Sequence, residues 1–181
     1  TAPAAVLPAT AGLEPGVGAY TDRRAWWVNN SFNWNQVCNG GLLIGALALA
    51  DSDPQYAEVI VPAAMASLPK ALGTYEPDGA WGEGPGYWNY ATSYTSFALA
   101  ALETALGGDQ GLSDRTGLAR AARFPLLASG PTGLYLNYAD SGQWARRRTL
   151  PTLFYLARRY DDNAAAMAEH EALRRHRAEP R

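Results

Sequence analysis

Two segments dense in Asn, Trp, Tyr and Gly each run straight into an apolar stretch with helical spacing. The first reads Asn29-Asn30-Ser31-Phe32-Asn33-Trp34-Asn35-Gln36-Val37-Cys38-Asn39-Gly40-Gly41, the second Pro77-Asp78-Gly79-Ala80-Trp81-Gly82-Glu83-Gly84-Pro85-Gly86-Tyr87-Trp88-Asn89-Tyr90. Such side chains are costly to bury without partners and unneeded if merely exposed. The pattern therefore predicts a polar binding cleft floored by loops at helix entrances.

Helices are expected for most of the remainder. Residues 41–49 are rich in Leu and Ala, and 54–72 carry Tyr56, Val59, Ile60, Ala63, Ala64 and Leu68 at near-helical spacing, with Asp53 placed to cap and Pro54 in the first turn. Pro62 and Pro69 are expected to kink or interrupt that helix. Residues 92–106 hold the cleanest apolar stripe, and Gly107-Gly108 closes it as a C-cap. Shorter helices are expected over 115–127 and 150–160, and 134–138 reads as a short extended piece.

Polar-aromatic loops near 29–41, 75–90 and 130–144 recur at roughly 50 residues, about one helical hairpin with its connection. The expected fold is all-α: antiparallel hairpins forming part of an α/α toroid, with the loops on one side. A closed toroid of about six hairpins needs roughly 300 residues at this period, so a chain of 181 makes an incomplete barrel. The expected organisation is an N-terminal extension (1–19), a partial toroid domain (20–160) and a polar C-terminal helix or tail (161–181). Such a partial toroid leaves an apolar flank, through which self-association is expected.

Composition removes several functions. A net charge of −2 gives no electrostatic footprint for nucleic acid. The longest apolar run, 42–50, is too short to cross a bilayer, and the first residues lack the basic-then-apolar order of a signal peptide. One cysteine, Cys38, forbids an internal disulfide or a thiolate cluster and reads as a small buried hydrophobe. His170 and His176 sit among Glu169, Glu171, Arg174, Arg175 and Arg177 and read as one polar helix face, so no metal site is expected there.

Each candidate also has a plainer reading. Trp81 and Trp88 serve equally as packing anchors or sugar platforms. Asn33, Asn35 and Asn39 suit capping of a helix that begins near Gly40. Tyr87 and Tyr90, three apart, divide between core and cleft. Asp140, Asp161 and Asp162 read as turn and helix-end residues. Glu83 is harder to assign to structure alone, because glycines and a proline surround it where no helix face needs a carboxylate. With no histidine in the cleft, its acid or base must be Tyr, Glu or Asp.

Trp26-Trp27-Val28-Asn29-Asn30 leading into Asn33-Trp34-Asn35-Gln36-Val37-Cys38-Asn39-Gly40-Gly41, then Tyr75-Glu76-Pro77-Asp78-Gly79 and Glu83-Gly84-Pro85-Gly86-Tyr87-Trp88-Asn89-Tyr90, resembles the toroid domain of heparinase II/III-like polysaccharide lyases. Gly133-Leu134-Tyr135-Leu136-Asn137-Tyr138-Ala139-Asp140 is similar to a third loop of that domain. The resemblance covers roughly residues 20 to 160. It implies a periplasmic or secreted protein acting on an acidic, uronate-containing polysaccharide by β-elimination. One group neutralises the C5 carboxylate, and a Tyr removes the C5 proton or protonates the leaving oxygen.

Carried onto this chain, the resemblance places the neutralising carboxamide at Asn35, with Asn33 as its near alternative, and the catalytic phenol at Tyr87, with Tyr90 behind it. A carboxamide against a carboxylate stabilises the developing aci-carboxylate, and a phenol of ordinary pKa about 10 serves as base where the site stabilises its anion. Trp34, Trp81 and Trp88 would face sugar rings, while Asn39, Glu83 and Tyr90 would complete the binding groups. Members of the family carry further toroid helices and a C-terminal β-sandwich with a catalytic His, so the chain reads as one part of such a protein. No cofactor is expected within it; any structural metal would belong to the downstream domain. Two alternatives share these residues: a non-catalytic sugar-binding array, and a different α/α toroid, such as a terpene-cyclase-like fold or a glycosidase using Asp78 and Glu83, which requires carboxylates about 5 to 10 Å apart.

Overall fold

The computed structural model describes residues 25–178, with the side chains of 25–175; the expected extension at 1–19 and the His176 side chain lie outside them. After a 3₁₀ turn at Trp26–Asn29, α1 spans Asn33–Ala48. Next come α2 (Pro54–Ser67), α3 (Pro69–Leu72) and the 22-residue α4 (Pro85–Leu106). A broken return follows as α5 (Thr116–Arg120), a 3₁₀ turn and α6 (Phe124–Leu127), and the last pair is α7 (Pro151–Arg159) and α8 (Asn163–Ala178). The described residues are all-α. They contain no strand, only isolated bridges at Ser129–Tyr135 and Leu134–Arg146, so the extended piece expected over 134–138 is a pair of crossings within a long loop.

Proline marks the first turn of α2, α3, α4 and α7, where its missing N–H has no helical acceptor to lose. Within α2, Pro62 does not end the helix, whereas Pro69 opens a separate one. Gly107 closes α4 with φ +75°, and its N–H reaches the Glu103 carbonyl at 3.1 Å, as the C-cap reading expects. Asp53 stands at the start of α2 without capping it; its carboxylate instead accepts from Ser52 Oγ at 2.8 Å.

The helices pair as antiparallel hairpins. Ser67, at the end of α2, bonds to Asn35 and Asn39 near the start of α1. Phe124 of α6 packs on Trp88 of α4 with ring centroids 6.1 Å apart. Glu169, near the middle of α8, accepts from the Leu150 N–H just before α7. The leading helices of the three pairs run parallel to one another. Gln36 of α1 meets Thr95 of α4 at 2.9 Å, and Asn33 at the start of α1 meets Glu83, just before α4, at 2.7 Å. Ser93 meets Thr152 at 2.9 Å and Glu103 meets Tyr155 at 3.1 Å between α4 and α7. The N-termini of α1, α4 and α7 therefore share one end of the array.

One apolar cluster binds the pairs together, with Leu43, Leu68, Leu72, Trp88, Leu99, Leu102, Leu118, Leu153 and Leu156 fully inside. Burying each such side chain contributes roughly 1.5–3 kcal/mol, ample reason for the pairs to stack rather than separate. Segment 161–175 belongs to this body: α8 packs on α7, buries Ala165 and Glu169, and sets the His170 ring edge-on to Phe154 at 4.9 Å.

Asp162 caps α8, its Oδ1 accepting from Ala165 N–H at 3.1 Å while Arg123 Nε donates to Oδ2 at 2.7 Å. The Arg123 hydrogen bond holds the Asp162 carboxyl below the usual carboxylate range. A depressed folded-state pKa contributes stability above the unfolded value and loses it as pH falls through the folded one. Asp162→Ala should therefore cost about 1 kcal/mol at neutral pH. In thermal melts, its deficit against the wild type should shrink as pH falls below about 4.

Candidate functional site

The three polar-aromatic loops meet at the shared helix end. Glu83 ties the first loop to the second: its Oε1 accepts from Asn33 Nδ2 at 2.7 Å, and its Oε2 from Asn33 N–H at 3.1 Å and from Trp81 Nε1 at 3.1 Å. No side chain within α1's own entrance caps that helix, so a carboxylate fifty positions away takes over. The helix thus begins at Asn33, eight residues before the predicted start, and α4 likewise begins at Pro85 rather than 92. Tyr138 fastens the third loop to the second by donating to the Trp81 carbonyl at 2.8 Å. Gly84, with φ +93°, admits that loop closely: a Cβ there would lie 2.4 Å from Ser141 Oγ.

Much of the expected cleft floor is interior. Asn35 is 0% exposed; its Nδ2 donates to the Trp27 carbonyl at 3.1 Å and to Ser67 Oγ at 3.0 Å. Asn39 also donates to Ser67 Oγ, at 2.9 Å, and Ser67 Oγ in turn donates to the Val28 carbonyl at 2.8 Å. Gln36 Nε2 reaches Tyr75 Oη and Thr95 Oγ1, and burial pushes the Tyr75 phenol well above its ordinary range. This polar layer holds α1 against α2 and α4. Asn35, the expected neutralising carboxamide, is thus enclosed in this arrangement.

Asn33, Asn35 and Asn39 lie within α1 rather than capping a helix at Gly40, because the helix starts earlier. Asn33 is buried under Glu83. Trp81 stacks on Tyr75 with centroids 4.9 Å apart, and Trp88 is fully enclosed, so both serve as packing anchors rather than open sugar platforms. Glu83 is half-buried with both oxygens engaged by protein donors. Asp78 is exposed and accepts from Ala80 N–H at 3.1 Å within its own turn. Cys38 is half-buried, and burial raises its thiol pKa.

Three expected site residues do face solvent at this end: Trp34 (46% exposed), Tyr87 (37%) and Tyr90 (42%). Trp34 lies edge-on to Trp26 at 5.9 Å, and Tyr90 edge-on to Tyr94 at 5.5 Å. The third loop adds groups that the motif reading passed over. Between the first turn of α4 and the strip Trp144–Leu150 lies an open cavity of about 460 Å³, lined by Gly86, Asn89, Tyr135, Trp144, Arg146 and Arg148 among others. Burial pushes the Tyr135 phenol up to about 12. The overlooked signal was Trp144 followed by Arg146-Arg147-Arg148 in a segment with no helical period.

Among the described residues no group of three or more His, Cys, Asp and Glu side chains could hold a metal ion, and no helix is long and apolar enough to cross a membrane. No protein-family model matches this sequence, and no curated protein matches it.

Proposed function

We propose that this chain is a carbohydrate-binding portion of an α/α toroid of the heparinase II/III-like lyase type, and that it receives an acidic polysaccharide across the end where its three loops meet. The observation that carries the reading is that convergence. Segments far apart in sequence deliver exposed Trp34, Tyr87, Tyr90, Tyr138 and Trp144, with Arg146 and Arg148, to one face. Aromatic rings stack on sugar faces and guanidinium groups pair with carboxylates. Parallel leading helices with antiparallel returns are the repeat from which a toroid is built, and the exposed Leu42, Leu49 and Phe97 are suited to a further helix or a second copy.

For elimination, the exposed phenols Tyr87 and Tyr90 are the available bases, and neutralisation of the C5 carboxylate falls to a group other than Asn35. A purely binding role is the second reading, favoured by the burial of Asn35. Titration with oligouronates should quench tryptophan fluorescence, and neutral oligosaccharides of equal length should do so more weakly. No response to any acidic oligosaccharide at millimolar concentration ends the proposal. Appearance of the unsaturated uronate chromophore separates lyase from binder. If it appears, Tyr87→Phe should slow elimination by about 100-fold or more while binding stays within a few fold. A fully active Tyr87→Phe protein moves the role to Tyr90.

A further inference from the structure

The strip 145–150 is neither helix nor strand, and its three arginines do not share one environment. Arg147 turns inward, where its Nη2 meets the fully buried Glu169 carboxylate at 2.7 Å. Arg146 and Arg148 line the cavity against α4. Among the described residues neither is paired with a carboxylate, and no Asp or Glu lines the cavity. Arg146 Nη1 donates to the Thr132 carbonyl at 3.0 Å, a bond that steadies the guanidinium and leaves its other N–H groups for a ligand. Asn89 accepts from Ser93 Oγ at 3.4 Å through its carbonyl oxygen, so its NH₂ is a further donor. Trp144, 75% exposed, forms one wall.

Two guanidinium forks, an amide donor and one indole face suit a carboxylate attached to a flat-faced ring. We propose that this cavity is the carboxylate-recognising subsite of the loop face, holding one uronate unit, with Arg146 and Arg148 on the acid group and Trp144 against the sugar ring. The assignment rests on the acidic-polysaccharide reading above and goes further, placing the preference for acid on residues that the sequence motifs do not contain. Helical geometry adds one constraint: Tyr90, four positions from the lining residue Gly86, is nearer to the cavity's side of α4 than Tyr87 is.

Calorimetry with an oligouronate, its carboxyl-reduced counterpart and inorganic sulfate tests this on the wild type, Arg146→Gln, Arg148→Gln, the double variant and Trp144→Ala. Each Arg variant should lose about ten-fold in affinity for the oligouronate, the worth of one charge-assisted hydrogen bond, and less than about two-fold for the reduced sugar. Trp144→Ala should weaken both sugars alike. Because Arg146 and Arg148 are exposed, unchanged melting curves should accompany these losses. If the double variant binds the oligouronate like the wild type, the subsite is wrong while the functional reading stands. If the wild type binds sulfate through these arginines and no oligouronate, both are wrong.

Discussion

Glu83→Ala should lower stability by about 2–3 kcal/mol and abolish recognition of acidic sugars, although Glu83 itself contacts no ligand in the proposed arrangement. Its carboxylate satisfies three donors, Asn33 N–H, Asn33 Nδ2 and Trp81 Nε1, and the last two belong to buried side chains. Truncation strands them all and removes the side chain that, among the described residues, caps the start of α1. Glu83→Gln keeps one acceptor oxygen and presents an NH₂ toward the remaining donors, so an intermediate loss is expected. Denaturant melts with paired sugar titrations check this. A Glu83→Ala protein of wild-type stability would mean that the first two loops are held together by packing alone.

Glu169→Ala should be at least as damaging, at about 3–5 kcal/mol. The carboxylate is 0% exposed and accepts from Arg147 Nη2 and from the Leu150 N–H. Burial pushes its pKa up against the opposing pull of the Leu150 N–H and Arg147, and its removal leaves Arg147 mostly enclosed without a counter-charge. The double variant Glu169→Ala with Arg147→Met removes both charges and should recover most of the loss, because the cost lies in stranding one partner rather than in losing the pair. Chemical denaturation of the wild type and the two variants decides it. Equal stability of the single and double variants would place the cost in the Leu150 contact instead.

The all-helical architecture and the gathering of three loops at one end could be read from sequence, because apolar spacing and Gly107 are local signals and the loops recur at hairpin length. The helix starts could not. α1 begins where Glu83 arrives from another hairpin, and no local rule contains that donor–acceptor match. The same blindness misassigned the Asn residues: Asn35 and Asn39 look like cleft groups until Ser67, about thirty positions later, takes up their amides. Trp81 and Trp88 could go either way on sequence, and the enclosure supplied by Tyr75 and Phe124 decides for packing. Arg146 and Arg148 escaped notice because their grouping depends on a loop strip whose inward residue, Arg147, is anchored on α8.

The parallel run of α1, α4 and α7 has a consequence for how a polyanion first finds this molecule. Backbone dipoles of parallel helices add, each leaving roughly half a positive elementary charge at its amino end, and all three amino ends lie beneath the same face. Glu83 offsets that contribution at α1 alone, while Arg146 and Arg148 stand above the other two. A net charge of −2 is a sum over the whole surface, whereas an approaching ligand responds to direction. An acidic chain can thus be drawn to one pole of a protein that repels it on average, and its capture rate should fall as salt shortens the reach of that pole.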